Sequence, residues 1–182
     1  PGAELRIEGV GVNPLRTGLV TVLRKMGAEI RMEDLRGEGG EPVADLVVHG
    51  VELAGTEVSP ELIPSLIDEV PVLCVAAALA KGRTVVRGAA ELRVKESDRI
   101  GAMAAALSSL GVSCEELPDG IRIDGPARIL SGVRCDSRGD HRIAMSLAVL
   151  SAASGVPVEI SDTACIDTSF PGVQGMLEEV LA

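Results

Sequence analysis

The sequence predicts an α/β fold built from repeated strand–helix units, and three observations carry that prediction. Nearly half of the residues are apolar, yet the chain has no Trp or Tyr and a single Phe, Phe170. Its core must therefore be packed by Val, Leu, Ile and Ala, which suits short strands alternating with helices. Apolar residues recur at strand spacing and then at helical spacing along the chain, and Gly stands at most of the changes. One stretch also repeats. Asp68 opens an apolar helix followed by a Gly and a strand, and Asp140 does the same about 72 residues later, as a duplicated supersecondary unit would.

Leu5 and Ile7 alternate with charged residues and predict a half-buried strand. Asn13-Pro14 predicts a helix start, with Asn as N-cap and Pro at the first helical position. Leu15, Leu19, Val22, Leu23 and Met26 follow at helical spacing until Gly27. Ala28 to Met32 reads as a strand, Arg36 to Pro42 as a Gly- and Glu-rich loop, and Asp45 to His49 as another short strand. A second helix begins near Asp68. Its body, Val70 to Ala80, is almost wholly apolar and should be buried on most sides. Gly82 closes it, and Thr84 to Val86 is the next strand.

A third helix begins near Glu96 or Ser97, lines one face with Ile100, Met103, Ala104 and Leu107, and ends at Gly111. Short strands follow, with Ile121 and Ile123 in alternation. A fourth helix runs from Asp140 to about Ala152, Gly155 stops it, and Val158 to Ile160 is a strand. The last helix starts near Pro171 and continues to the C-terminus. The repeat persists beyond the helices: Lys95 to Arg99 lies opposite Ile166 to Phe170, and Leu110 opposite Leu181. The first helix, ending Met26-Gly27, looks like the third, ending Leu110-Gly111. The chain thus reads as one complete β/α unit with parts of two neighbours.

The formal net charge of −10 argues against nucleic acid as a main partner. It would repel small anions too, unless the cations are gathered in one place. Cys74, Cys114, Cys135 and Cys165 are widely spaced, without a C-x-x-C pair or a flanking His. They read as small core residues of a reducing cytosol. No apolar run suits a membrane span and no signal-peptide pattern is seen, so a cytoplasmic location is expected. The chain opens with Pro1 rather than Met, which fits a fragment, a processed product or an engineered chain alike.

The polar residues of interest cluster at helix starts: Asp68; Lys95, Glu96 and Arg99; Asp140, His141 and Arg142; Thr168 and Ser169. In duplicated units with parallel helices they converge on one end, where unpaired N–H groups favour anions. Taken singly, each has a plainer reading. Asp68 and Asp140 suit N-caps, and Ser97 or Asp98 would cap the third helix. His49 reads as structural or surface.

Two strings shift that balance. Arg93-Val94-Lys95-Glu96-Ser97-Asp98-Arg99-Ile100 and Asp140-His141-Arg142-Ile143-Ala144-Met145-Ser146 resemble signatures of the 5-enolpyruvylshikimate-3-phosphate synthase family. Thr168-Ser169-Phe170-Pro171-Gly172 resembles its C-terminal segment. Asn13-Pro14, Arg16-Thr17-Gly18 and Ile67-Asp68-Glu69 fit in order and spacing, so the resemblance spans essentially the whole chain. Thr-Ser-Phe-Pro and the Glu91-Leu92-Arg93 lead-in are similar to the branch called class II, which includes glyphosate-tolerant bacterial members.

The resemblance implies an inside-out β/α barrel domain with buried helices and outer sheets, about two of its three units present. Residues 1–182 would be part of a C-terminal domain, with the N-terminal domain absent. It implies transfer of the enolpyruvyl group of phosphoenolpyruvate to the 5-hydroxyl of shikimate 3-phosphate, without metal or organic cofactor. Arg99 and Arg142 would hold the phosphoenolpyruvate carboxylate, for which a planar guanidinium is suited. Asp68 would lie against the shikimate hydroxyls and take the 5-hydroxyl proton. Glu96 would handle the proton at the methylene carbon, and the sequence does not apportion the two protons between them. Lys95 would lie beside the shikimate phosphate and hydroxyls, and His141 behind Glu96 or at the cleft wall.

Thr168 stands where some members carry a phosphate-contacting Lys, and would offer only a hydrogen bond. The family's N-terminal Lys, Arg and Gly-rich turn are missing, so the chain alone would hold half a site and need that other half as partner. The resemblance leaves glyphosate open as an inhibitor of the full enzyme, whose response depends partly on N-terminal residues. Exposed sheet edge and helix surface would favour self-association.

Three other readings stand beside this one. A UDP-N-acetylglucosamine enolpyruvyl transferase would share the fold but is not expected to carry the Arg93 to Arg99 string. A non-catalytic module would have no reason to gather Asp68, Glu96, Arg99 and Arg142. An RNA-processing relative is disfavoured by the acidic charge and absent aromatics.

Overall fold

The computed structural model describes residues 2–181; Pro1 and Ala182, on which the chain-start reading and the last helix's final residue fall, lie outside the described residues. Nine strands and five α-helices are described. They are β1 (Glu4–Gly11), α1 (Gly18–Lys25), β2 (Glu29–Glu38), β3 (Glu41–His49), β4 (Glu57–Val58), α2 (Val70–Leu79), β5 (Gly82–Val86) and α3 (Arg99–Ser109), followed by β6 (Ser113–Leu117), β7 (Gly120–Gly125), β8 (Arg134–Asp136), α4 (His141–Ser154), β9 (Glu159–Ser161) and α5 (Val173–Leu181). Short 3-10 turns at Pro60–Ser65 and Ile67–Glu69 lead into α2, Ala90–Val94 precedes α3, and Thr163–Thr168 precedes α5.

The strands form three sheets, in the orders β1-β3-β2, β4-β5-β7-β6 and β8-β9. Only the middle one is a full β-α-β-α-β-β unit, which agrees with one complete unit and parts of two neighbours. The repeat is visible in the elements themselves. A parallel strand pair flanks an apolar helix twice, β4-α2-β5 and β8-α4-β9, and each is followed by a 3-10 turn and another helix. The helices α2, α3 and α4 lie inside, while α5 is largely exposed. In α2, Val70, Pro71, Leu73, Cys74, Val75, Ala77 and Ala78 are all buried, so its uniform hydropathy reflects burial on nearly every side. It packs on α4 and covers β7, while α3 covers β6.

Several sequence expectations are corrected. The segment Arg36 to Pro42 is not a loop. β2 and β3 continue through it and meet at Gly39-Gly40, whose φ of +58° and +89° makes the two-residue turn that suits the twist of paired strands. Asn13 does not cap α1: its side chain accepts the Leu15 N–H in a local turn, and the helix starts at Gly18. Leu15 is consequently exposed rather than part of the buried face. β1 is a strand, but Leu5 and Ile7 are exposed. The third helix starts at Arg99 rather than Glu96 or Ser97, because the Asp98 carboxylate accepts the Gly101 N–H and closes the first turn there.

Asp45, in the middle of β3, holds two irregularities together. The register slips between Ile7 and Val10 in β1 and between Glu33 and Arg36 in β2. Between them the Asp45 carboxylate accepts the Gly9 N–H at 3.0 Å, Arg6 at 2.8 Å and Arg36 at 3.1 Å. The Gly9 N–H, then the two guanidiniums, hold its carboxyl down at about 2. A depressed carboxylate contributes stability above its ordinary pKa of 3.8 and loses it as pH falls toward about 2. Asp45→Asn should therefore flatten the pH dependence of urea unfolding across that window. An unchanged slope would show that the network contributes nothing.

The hydroxyl of Thr84 in β5 is buried without a hydrogen-bond partner. Thr84→Val exchanges it for a methyl of the same shape and should raise stability by about 1 kcal/mol. Calorimetry would show this as a higher Tm, and a lower one would mean the hydroxyl is satisfied in solution.

Candidate active site

The site is assembled from three chain segments. The turn Ile67–Glu69 brings Asp68 and Glu69 to the start of α2. The stretch between the 3-10 turn Ala90–Val94 and α3 brings Glu96 and Ser97, with Arg99 as the first residue of α3. The start of α4 brings Asp140 and Arg142. Asp140 is the N-cap of α4, accepting the Arg142 N–H at 2.9 Å. Asp68, for which an N-cap is the plainer of two readings, makes no capping hydrogen bond; its carboxylate faces arginines instead.

Arg99 is the hub. Its side chain is 1% exposed and is surrounded by carboxylates. Nε donates to Asp140 at 2.8 Å, Nη1 to Asp68 at 3.4 Å and Nη2 to Glu96. The Asp140 side chain is fully buried and also accepts the Ser97 hydroxyl at 3.0 Å. Burial pushes the Asp140 carboxyl up. Hydrogen bonds from Arg99, the Arg142 N–H and Ser97, with the Arg99 charge, outweigh it and hold the carboxyl below its ordinary value.

Arg142 forms a second layer. It donates to the Asp68 carbonyl at 3.0 Å and lies 3.4 Å from the Asp68 carboxylate. Arg16 approaches from the other side, 3.5 Å from Glu69 and 4.0 Å from Asp68. Its position depends on Gly18. A Cβ there would lie 2.3 Å from the Ser65 hydroxyl, so only glycine lets the start of α1 pack this closely on the turn before Asp68. Asp68 and Glu69 are thus flanked by Arg16 and Arg142.

Four of the seven residues singled out from sequence come together: Asp68, Glu96, Arg99 and Arg142. Lys95 does not join them, since its ammonium pairs with Glu91 at 2.6 Å. His141 is half-buried on the first turn of α4, and no hydrogen bond or ion pair ties it to the cluster among the described residues. Thr168 is exposed, and its hydroxyl donates to the Cys165 carbonyl at 2.7 Å. The sequence reads Asp140 as an N-cap and as the first residue of a signature string, but not as a partner of Arg99. Its role beneath Arg99 requires a contact 41 residues apart, which no local pattern encodes.

Three guanidiniums, Arg16, Arg99 and Arg142, face four carboxylates, Asp68, Glu69, Glu96 and Asp140. The cluster can exchange protons, and it offers a guanidinium to an anion only where one of its own carboxylates yields, since it carries no surplus positive charge of its own. Among the described residues no group of His, Cys, Asp and Glu is arranged to hold a metal ion, and no helix is long and apolar enough to cross a membrane.

Comparison with known proteins gives a consistent result. The family described as EPSP synthase (3-phosphoshikimate 1-carboxyvinyltransferase) matches residues 1–177. The chain is 53% identical over 182 residues to 3-phosphoshikimate 1-carboxyvinyltransferase of Pelotomaculum thermopropionicum, and 52% identical over 180 residues to that of Geobacter sulfurreducens. It spans 100% and 99% of itself in these matches but 42% of each relative. Among solved structures, EPSP synthase from Acinetobacter baumannii superposes with a TM-score of 0.93 at 42% identity, covering all of this chain and 42% of that one. The enolpyruvyl transferase NikO from Streptomyces tendae shares the fold, with a TM-score of 0.71 at 23% identity over 97% of this chain and 38% of its own.

Proposed function

Because the chain belongs to the EPSP synthase family, we propose that it supplies one wall of a site that moves the enolpyruvyl group of phosphoenolpyruvate to the 5-hydroxyl of shikimate 3-phosphate, releasing phosphate. Residues 1–182 would be part of the C-terminal domain. The observation that carries the reading is the placement of two acid–base candidates, Asp68 and Glu96, on one buried guanidinium, that of Arg99. Two carboxyls held a short distance apart can serve proton exchange at two points on bound substrates.

Asp68 takes the 5-hydroxyl proton and Glu96 serves the methylene carbon. Glu96 is 56% exposed and so can reach substrate. Arg142 and Arg99 face the phosphoenolpyruvate carboxylate, a bidentate pairing that Arg geometry favours. Lys95 turns from Glu91 to the shikimate phosphate, His141 lines the wall, and Thr168 donates a hydrogen bond. For the Arg99 guanidinium to accept a substrate carboxylate, Glu96 must yield its place. That exchange is favourable once further cations arrive, which the four carboxylates facing three arginines make necessary. The remaining part of the family's chain is the source proposed for them, and glyphosate would compete in the completed site.

Phosphate release from phosphoenolpyruvate and shikimate 3-phosphate tests this, with the chain alone and with the rest of the Geobacter sulfurreducens relative added. Activity is expected only on mixing. No release from folded, mixed material would reject the assignment.

A further inference from the structure

Residues 93–98 bring Glu96 to the site without help from the core. Leu92 before them and Ile100 after them are buried, but Val94, the one apolar side chain between those two, is 80% exposed. Packing therefore does not fix the main chain here, and polar ties must. On the inner side Asp140 provides two of them, accepting the Ser97 hydroxyl at 3.0 Å and Arg99 Nε at 2.8 Å.

The outer side is held by Arg93, which lies inside the first signature string and has no part in the substrate contacts proposed above. Its Nη1 donates to Asp98 at 2.7 Å and to Glu116 at 2.8 Å, Nη2 to the Leu117 carbonyl at 2.7 Å, and Nε to the Pro118 carbonyl at 2.8 Å. Glu116 and Leu117 end β6, and Pro118 and Asp119 make the turn into β7. The same turn holds the chain that leads to Arg93. The Asp119 carboxylate accepts the Gly88 N–H at 2.9 Å, and its carbonyl accepts the Ala89 N–H at 2.7 Å. Asp98 is the joint: one carboxylate oxygen accepts the Gly101 N–H at 3.0 Å and caps α3, and the other takes Arg93. The Arg93–Asp98 pair thus ties the two ends of residues 93–98 together, with Glu96 in the loop between them. A guanidinium suits this task because its five N–H donors form a fixed fork that meets two carboxylates and two carbonyls at once.

We infer that Arg93 is a positioning residue. It fixes the loop that carries Glu96 against the β6–β7 turn, so that Glu96 takes one defined place when it leaves Arg99 for substrate. The inference rests on the proposed role of Glu96 in proton transfer. Arg99 and Arg142 do not depend on this tie, since Asp140 and Asp68 hold them from the other side. Loss of Arg93 should therefore strike the proton step and spare the binding of the phosphoenolpyruvate carboxylate.

Two variants test this in the chain mixed with the rest of the Geobacter sulfurreducens relative. Arg93→Met keeps the stem and removes every donor. Asp98→Asn keeps the oxygen that caps α3 but puts an amide, which cannot accept from Arg93, in place of the other oxygen; it carries the test if Arg93→Met fails to fold. Each should lower kcat for phosphate release by about 10- to 100-fold, the usual loss when a reacting group is misplaced by about 1 Å, with KM for phosphoenolpyruvate kept. Combined with Glu96→Gln, neither should cost more than Glu96→Gln alone, because a residue that acts through Glu96 then has nothing left to position. In the chain by itself, the NMR order parameters of amides 95–97 should fall while those of α3 stay. Losses that add to that of Glu96→Gln, a rise in KM at unchanged kcat, or unchanged order parameters would overturn the inference and leave Arg93 a structural tie. If the parent mixture releases no phosphate, the proposed reaction fails, and the order parameters alone decide whether Arg93 holds the loop.

Discussion

Asp140→Ala should destabilise the chain by about 3 kcal/mol, the low end of the cost of breaking a buried ion pair, because Arg99 keeps Asp68 and Glu96. Arg99 is 1% exposed and Asp140 fully buried, so no solvent can replace the lost carboxylate. The substitution also removes the N-cap of α4, typically worth about 1 kcal/mol within that loss. Asp140→Asn separates the two effects. Asparagine can still accept the Arg142 N–H, so its deficit reports mainly the charge. Because Arg99, the Arg142 N–H and Ser97 together hold the Asp140 carboxyl low against burial, its contribution is present above the ordinary carboxylate range and fades as pH falls through the lowered value. Urea unfolding near neutrality should show the full gap between parent and Asp140→Asn, and the gap should narrow in acid. A gap that stayed constant with pH would mean that packing, not charge, makes Asp140 necessary.

The second large effect is kinetic. For the proposed reaction in the completed site, Glu96→Gln and Asp68→Asn should each lower kcat by about 10²–10⁴-fold, the usual worth of a positioned acid or base. Stability should change little at Glu96, because an ion pair this exposed contributes at most about 1 kcal/mol. The pH profile distinguishes proton transfer from binding. Loss of one limb of the kcat profile with KM kept supports a proton role, while a rise in KM with kcat unchanged would reassign the residue to substrate binding. Asp68→Asn also changes the surroundings of Arg142 and Arg16, so its KM is expected to rise as well.

Local signals in the chain served well where physics is local. The apolar body of α2 announced its burial, Gly155 stopped α4 with φ +67°, and Asp140 capped the helix it precedes. The two charged strings lie at the helix ends that the structure brings together. Local signals failed where a side chain chose between a nearby and a distant partner. Asp68 reads as a cap but faces Arg99 and Arg142, because a guanidinium offers a charged partner and the α2 start offers only backbone N–H groups. Lys95 sits inside the signature string yet turns to Glu91, four residues back across the 3-10 turn Ala90–Val94.

By itself, then, the sequence determined the α/β class, the repeat, the helices and their order, and which charged residues would stand at helix starts. These follow from periodicity, capping and turn chemistry, which act over a few residues. Only the tertiary structure decided that Arg99 is the buried hub, that Asp140 lies beneath it, and that Leu5 and Ile7 remain bare while Thr84 and Val86 are covered. Those outcomes depend on which segments meet across 41 residues of chain, or fail to meet. Burial and charge pairing are settled by that meeting and by nothing within a single element.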